Sequence, residues 1–228
     1  MKCVLCHGVL KNQVTFRELL LGSQIKNHCC DKCHSQFQPI NPLLEKRCIY
    51  CRKVSRETVC EDCLYWEKNQ IILEPHHALY EYNESMSEFM TSYKFQGNRT
   101  LAKAFSSDIN QVFKQLTYDM VIPIPLSKKR LADRGFHQVE TLLEDAYVDY
   151  ESILKKRRHT RKQSGKTKEE RLKTIHPFYL NQSDQDIIYQ KTIILVDDVY
   201  TTGSTILQAK RYLLSKHAKK VITFSLAR

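Results

Sequence analysis

Four Cys-x-x-Cys pairs crowd the first 63 residues: Cys3 and Cys6, Cys30 and Cys33, Cys48 and Cys51, Cys60 and Cys63, separated by 23, 14 and 8 residues. With Cys29 they make up all nine cysteines of the 228-residue chain, and none follows Cys63. A disulfide framework needs an oxidising compartment, and Met1–His7 has no apolar core of a secretory signal. A thioredoxin-like redox role needs a βαβ pattern around a pair, and none of the four has one. The spacing suits metal instead: eight thiolates fill two tetrahedral Zn²⁺ sites. The expected sets are Cys3, Cys6, Cys30 and Cys33, then Cys48, Cys51, Cys60 and Cys63. A cross-braced pairing of alternate pairs stays open, and Cys29 is an alternative ligand to Cys30.

Residues 1–70 read as a double zinc-ribbon region. A stretch this small buries little core, and structural zinc in small peptides contributes roughly 10–16 kcal/mol of apparent binding free energy. His7-Gly8 and Arg52-Lys53 suit the tight turns of zinc knuckles, Pro39 and Pro42 separate the clusters, and Val14–Leu21 is a partly apolar insertion. Glu67–Pro75 reads as a linker. Residues 76–228 change texture and read as a second domain. Strands are expected at His76–Tyr82, Asp119–Ile124, Lys191–Val196 and Lys220–Leu226. Helices are expected at Glu84–Phe95, Thr100–Leu116, Ser127–Arg134, His137–Asp145 and Gly203–Ser215. Strands alternating with helices predict an α/β fold with a parallel sheet. No apolar run approaches the ~18–20 residues of a membrane span.

The 36 basic and 25 acidic residues give a formal charge of +11, and the excess is local. Ten Lys/Arg and two Glu between Lys155 and Lys173 place +8 in 19 residues, a segment suited to a polyanion. Gly165-Lys166-Thr167 invites a P-loop assignment, which fails because Thr160 stands at the first glycine position and no buried strand precedes it.

Ile193-Ile194-Leu195-Val196-Asp197-Asp198-Val199-Tyr200-Thr201-Thr202-Gly203-Ser204-Thr205 runs from a buried strand into two carboxylates, a Thr/Gly turn and a helix. Ligands of open α/β sheets sit at such strand ends, and the turn offers N–H groups and hydroxyls to an anion. One of only six glycines, Gly203 permits close backbone approach there. This stretch resembles the phosphoribosyl-pyrophosphate (PRPP) loop of type I phosphoribosyltransferases. The resemblance implies that Asp197 and Asp198 hold the ribose hydroxyls, with Mg²⁺ accompanying PRPP. It implies that Thr201, Thr202, Gly203, Ser204 and Thr205 cradle the 5′-phosphate, and that Val199 and Tyr200 complete the PRPP site.

Val121-Ile122-Pro123-Ile124-Pro125-Leu126, Arg130 and Arg134-Gly135-Phe136-His137-Gln138 are similar to the signature of the ComF family, whose members carry a zinc ribbon ahead of a phosphoribosyltransferase-like domain. The likeness covers nearly the whole chain, to the final Ser-Leu-Ala-Arg. By this resemblance Pro125, Lys128, Arg130 and Arg134 belong to the pyrophosphate loop, and His137 stands where the family usually has Asn. The family implies a cytoplasmic protein of natural transformation that handles incoming single-stranded DNA beside the helicase-like competence protein ComFA. Arg157, Arg158, Arg161 and Lys162 are the expected nucleic-acid contacts, in a segment that also falls where type I enzymes have a mobile active-site loop. Tyr65 and Trp66 are either base-stacking residues or packing between the two regions. The alternative is an active phosphoribosyltransferase in which Asp197 and Asp198 are the catalytic pair, positioning the sugar while Mg²⁺-bound pyrophosphate leaves.

Overall fold

A computed structural model describes residues 1–10, 28–41, 45–157 and 177–228. Val14–Leu21, Pro42, Arg158, Arg161 and Lys162 lie outside them.

The N-terminal residues are held by turns and two short helices, α1 (Asp31–His34) and α2 (Glu61–Lys68). Then come β1 (His77–Tyr80), α3 (Glu84–Phe95), a 3₁₀ helix (Arg99–Phe105), α4 (Ser106–Gln115), β2 (Met120–Pro123), α5 (Lys128–Arg134) and α6 (Gln138–Asp145). The chain continues through β3 (Lys155–Lys156), β4 (Phe178–Tyr179), α7 (Gln182–Ile188), β5 (Thr192–Val199), α8 (Ser204–Ser215) and β6 (Lys220–Ala227). The main sheet is parallel throughout, in the order β1-β6-β5-β2, as the alternation of strands and helices predicts. β3 and β4 form a separate antiparallel ribbon.

Both faces of the sheet are covered, which is why β5 is a continuous apolar run. Its successive side chains divide between two cores. Ile194 and Val196 join Met86, Met90, Tyr93, Phe105, Phe113 and Leu142 on one face. Ile193 and Leu195 join Ile122, Ile206, Leu207, Leu213 and Val221 on the other. The cysteines divide in the same way. Cys3 and Cys33 pack into the first core with Phe37, and Cys48, Cys51, Cys60 and Cys63 into the second with Ile71. The two clusters therefore sit on opposite faces of one sheet.

Local chemistry explains the ends of the elements. Asn83 caps α3 by accepting from the Met86 N–H, and Ser127 caps α5 by accepting from that of Arg130. α5 stops at Gly135, whose φ of 75° ends the helix in the left-handed region. Three expectations need correction. The helix expected from Thr100 to Leu116 begins as the 3₁₀ turn, whose adjacent pairs Leu101-Ala102 and Ala104-Phe105 are all buried, a pattern tighter than an α stripe. The strand expected to stop at Val196 runs to Val199, because β6 pairs with it as far as Val199 opposite Ala227. Within the expected linker, Glu67 and Lys68 complete α2. α7 went unforeseen because it is seven residues long with Ile188 as its one buried residue, too little for a periodic signal, although its Asn181/Asp184 capping box was legible.

Candidate functional site

Asp197 and Asp198 stand at the carboxyl end of β5, between β6 and the loop that follows β2. The Ile124 N–H donates to the Val196 carbonyl at 2.8 Å and ties that loop to the same spot. Being adjacent in a strand, the two carboxylates leave on opposite faces. Asp198 meets Lys94, in the last turn of α3, Nζ to Oδ2 2.8 Å, both side chains 14% exposed. Asp197 Oδ1 accepts the Asp198 N–H at 2.9 Å. Burial, then the Asp198 charge, push the Asp197 carboxyl up to about 7, while Lys94 and Lys156 pull it down. Burial and the Arg130 charge lower the Lys156 ammonium, and Asp197 opposes them. The site is a pair of carboxylates with Lys94 paired to one and the Lys156 charge acting on the other, and Asp197 holds its proton well above the ordinary carboxylate range.

The loop turns at Gly203, φ 78°, directly before α8. A Cβ there would stand 2.3 Å from the Tyr200 hydroxyl. Tyr200 lies buried beneath the turn, its ring 4.4 Å from that of His76. Of the expected PRPP loop, Tyr200 thus supplies backbone and a buried floor. Thr201 and Thr202 are exposed, while Ser204 and Thr205 begin α8. Twelve residues of helix direct their N-terminal end at the turn, an arrangement that favours an anion. Gly203→Ala combines a φ that residues with a Cβ rarely adopt with this clash. We expect a loss of roughly 2–3 kcal/mol of stability, from strain of this kind, and of phosphate binding with it. A thermal melt unchanged from wild type would refute the close approach.

Across from the loop, Lys128 and Arg130 project from α5 into solvent. Arg134 is held: Nη1 donates to Gln138 Oε1 at 2.7 Å, and its guanidinium lies 5.8 Å from the Phe95 ring centre. The rest of the Arg-Gly-Phe-His-Gln run builds that posture. Gly135 turns the chain, Phe136 packs edge-on against Tyr93, and Gln138 is fully buried. His137 caps α6, Nδ1 accepting the Glu140 N–H, a role Asn fills equally well. Burial lowers the His137 pKa, leaving the ring neutral to accept that bond. Pro125 lies at the turn between β2 and α5. Arg157, at the root of the basic segment, is exposed over the Tyr179 ring at 5.2 Å. Trp66 is half-buried against the second core and its indole N–H donates to the Thr202 carbonyl at 2.8 Å, whereas Tyr65 is 59% exposed. Sequence reasoning missed Lys94. The signal was present, since Lys94 continues the buried Met86 and Met90 stripe at four-residue steps.

The thiols form two groups, Cys3, Cys6, Cys30 and Cys33, and Cys48, Cys51, Cys60 and Cys63, each with its sulfurs within 4.8 Å of one another. The grouping is tandem rather than cross-braced. Approaches of 3.8 Å for Cys6 to Cys30 and 3.5 Å for Cys51 to Cys60 match the ~3.8 Å edge of a tetrahedron with Zn–S of ~2.3 Å. His7 and Arg52, at φ 60° and 64°, form the knuckle turns. Backbone N–H groups of Cys30 and Cys60 donate to Cys3 Sγ and Cys48 Sγ, each at 3.4 Å. Hydrogen bonding from Cys63, with help from the Arg228 charge, lowers Cys51 to about 4. Each group could hold one Zn²⁺. Cys29 stands apart, its thiol pushed up to about 12 by burial.

A model of the phosphoribosyl transferase domain matches residues 102–228. The competence protein ComFC of Streptococcus pneumoniae is 40% identical over 228 residues, covering 100% of both chains. ComFC of Bacillus subtilis is 34% identical over 99% of this chain and 94% of its own. Competence protein F of Haemophilus influenzae is 28% identical over 89% of this chain and 91% of its own.

Proposed function

Since the chain belongs to the ComFC family of competence proteins and carries a phosphoribosyl transferase domain, we propose that it binds Mg²⁺-PRPP and single-stranded DNA in the cytoplasm during natural transformation. One observation carries the PRPP reading: a buried strand delivers Asp197 and Asp198 to the foot of a glycine turn that opens α8. On this reading the carboxylates take the ribose hydroxyls and the turn takes the 5′-phosphate. Pro125, Lys128, Arg130 and Arg134 line the pyrophosphate end. Calorimetric titration with PRPP, with and without Mg²⁺, tests it, and absence of any heat of binding in both titrations would overturn it.

The catalytic alternative has the same site transferring the phosphoribosyl group to an acceptor, with Asp197 and Asp198 positioning the sugar and Mg²⁺ neutralising the pyrophosphate that departs. The intact carboxylate pair favours it. Release of pyrophosphate in the presence of nucleobases or DNA would establish turnover, and PRPP binding without release would leave the pocket a binding site.

The DNA reading rests on the +8 segment Lys155–Lys173 and on family membership, which also motivates ComFA as the partner. Lys156 at the root of that segment feels the Asp197 charge, so the segment starts beside the PRPP site. No helix among the described residues is long and apolar enough to cross a membrane. Single-stranded DNA should bind without sequence preference, its log affinity falling with log salt by about 0.7 per phosphate contacted. Replacing Arg157, Arg158, Arg161 and Lys162 by Ala should flatten the slope by roughly 2–3. An unchanged slope with weakened PRPP binding would assign the segment to the nucleotide site instead.

A further inference from the structure

The turn at Thr201–Gly203 is fastened to the second cysteine cluster by two side chains outside the loop motif. Arg228, one residue past β6, donates from Nη1 to the Thr201 carbonyl at 2.6 Å and to the Tyr200 carbonyl at 3.2 Å. The same guanidinium donates from Nε to the Cys51 carbonyl at 3.0 Å and from Nη2 to Cys51 Sγ at 3.2 Å. It lies 5.1 Å from the centre of the Tyr200 ring. Trp66 donates to the next carbonyl, that of Thr202, from α2. That helix carries Cys63 and starts directly after Cys60. Three consecutive carbonyls are thus drawn toward one side by groups anchored in the Cys48–Cys63 cluster.

A trans peptide is planar, with its N–H opposed to its C=O. Drawing the carbonyls of Tyr200, Thr201 and Thr202 toward Arg228 and Trp66 turns the N–H groups of Thr201, Thr202 and Gly203 the other way. Those three N–H groups make no hydrogen bond among the described residues. They are therefore presented together as donors on the side away from the cluster. We propose that Arg228 and Trp66 are positioning residues, which make the second cysteine cluster a working part of the phosphate site by setting the loop's peptide planes. The first cluster, on the other face of the sheet, has no such link to the loop among the described residues. The ligand class concerned is the phosphomonoester of a sugar phosphate, and the inference rests on the loop binding a phosphate as proposed above.

The test compares wild type, Arg228→Ala, Arg228→Lys and Trp66→Phe, all as zinc-replete full-length protein with zinc content measured. Three probes are titrated into each: PRPP, ribose 5-phosphate and pyrophosphate. Arg228→Ala should weaken PRPP and ribose 5-phosphate about tenfold or more, the scale of one to two lost hydrogen bonds, while pyrophosphate affinity and zinc content stay at wild-type values. Trp66→Phe keeps an aromatic ring but removes the N–H along with the pyrrole half of the indole, so it should show a smaller loss confined to the same two probes, with zinc content unchanged. Arg228→Lys retains the charge without the fork and should recover only part of the affinity. If wild type binds none of the probes, the PRPP assignment itself fails. If wild type binds and the variants bind equally well, the positioning role is overturned. If Arg228→Ala loses pyrophosphate affinity and zinc together with the phosphomonoester, the residue is a structural support only, and the inference is likewise overturned.

Discussion

Protein stripped of metal under reducing conditions is expected to lose its cooperative thermal transition. Each structural zinc in small peptides contributes roughly 10–16 kcal/mol of apparent folding free energy, against ~5–15 kcal/mol for the whole stability of a typical domain. The placement of the thiols makes the loss severe, because the two groups pack into opposite faces of the same sheet. Demetallation leaves fully buried Cys3, Cys48 and Cys63 among unlinked thiols in both cores at once. Metal analysis before stripping should return about two zinc per chain. Calorimetric melts before and after addition of a strong chelator then give the effect. A stripped protein that melts as before would show that the cysteines are not metal-supported. A value near one zinc would point to the Cys48–Cys63 group, whose four sulfurs are all buried.

The second large effect is on the ligand. Asp197→Asn combined with Asp198→Asn should abolish detectable PRPP binding. Charge-assisted hydrogen bonds to a carboxylate are worth ~1.5–3 kcal/mol each, so removing two costs about a hundredfold or more in affinity. The single variants should separate in stability. Asp197 titrates near 7 in the folded chain against an ordinary 3.8, so between those values the folded state holds a proton the unfolded state has released. Stability drawn from this group therefore falls as pH rises through that window, and the full cost stands above pH 7. Asp197→Asn removes that cost. Its melting temperature should rise relative to wild type as pH goes from 4 to 7 and hold that advantage above. Asp198→Asn acts oppositely, leaving the Lys94 ammonium beside β5 without its carboxylate. Melts of both variants at pH 5 and pH 8 check the signs, and an Asp197→Asn variant less stable than wild type at pH 8 would contradict the burial argument. In wild type, PRPP affinity should increase as pH passes upward through 7, because ribose hydroxyls are bound by the carboxylate form.

What could be read from the chain of residues alone is short-range. The spacing within each Cys-x-x-Cys pair, the knuckle turns at His7 and Arg52, the buried run into Asp197 and Asp198, and the glycine turn before α8 are all fixed within a few residues by dihedral preference and strand or helix period. Capping was equally local, so α3, α5 and α6 were legible to within a residue at their starts. The 3₁₀ turn at Arg99–Phe105 and the extension of β5 to Val199 were not, because packing against other elements overrides local propensity there. The remainder came from long-range packing. It placed the two cysteine groups on opposite faces of the sheet, left Cys29 out of both, and brought Lys94 to Asp198 across more than a hundred residues. It also joined Arg228 to Cys51 and to the Thr201 carbonyl. Such contacts have no period and no fixed spacing. They exist because parallel strands are returned to the same edge by their crossovers, which gathers the carboxyl ends of β2, β5 and β6, and the charges they carry, around one site.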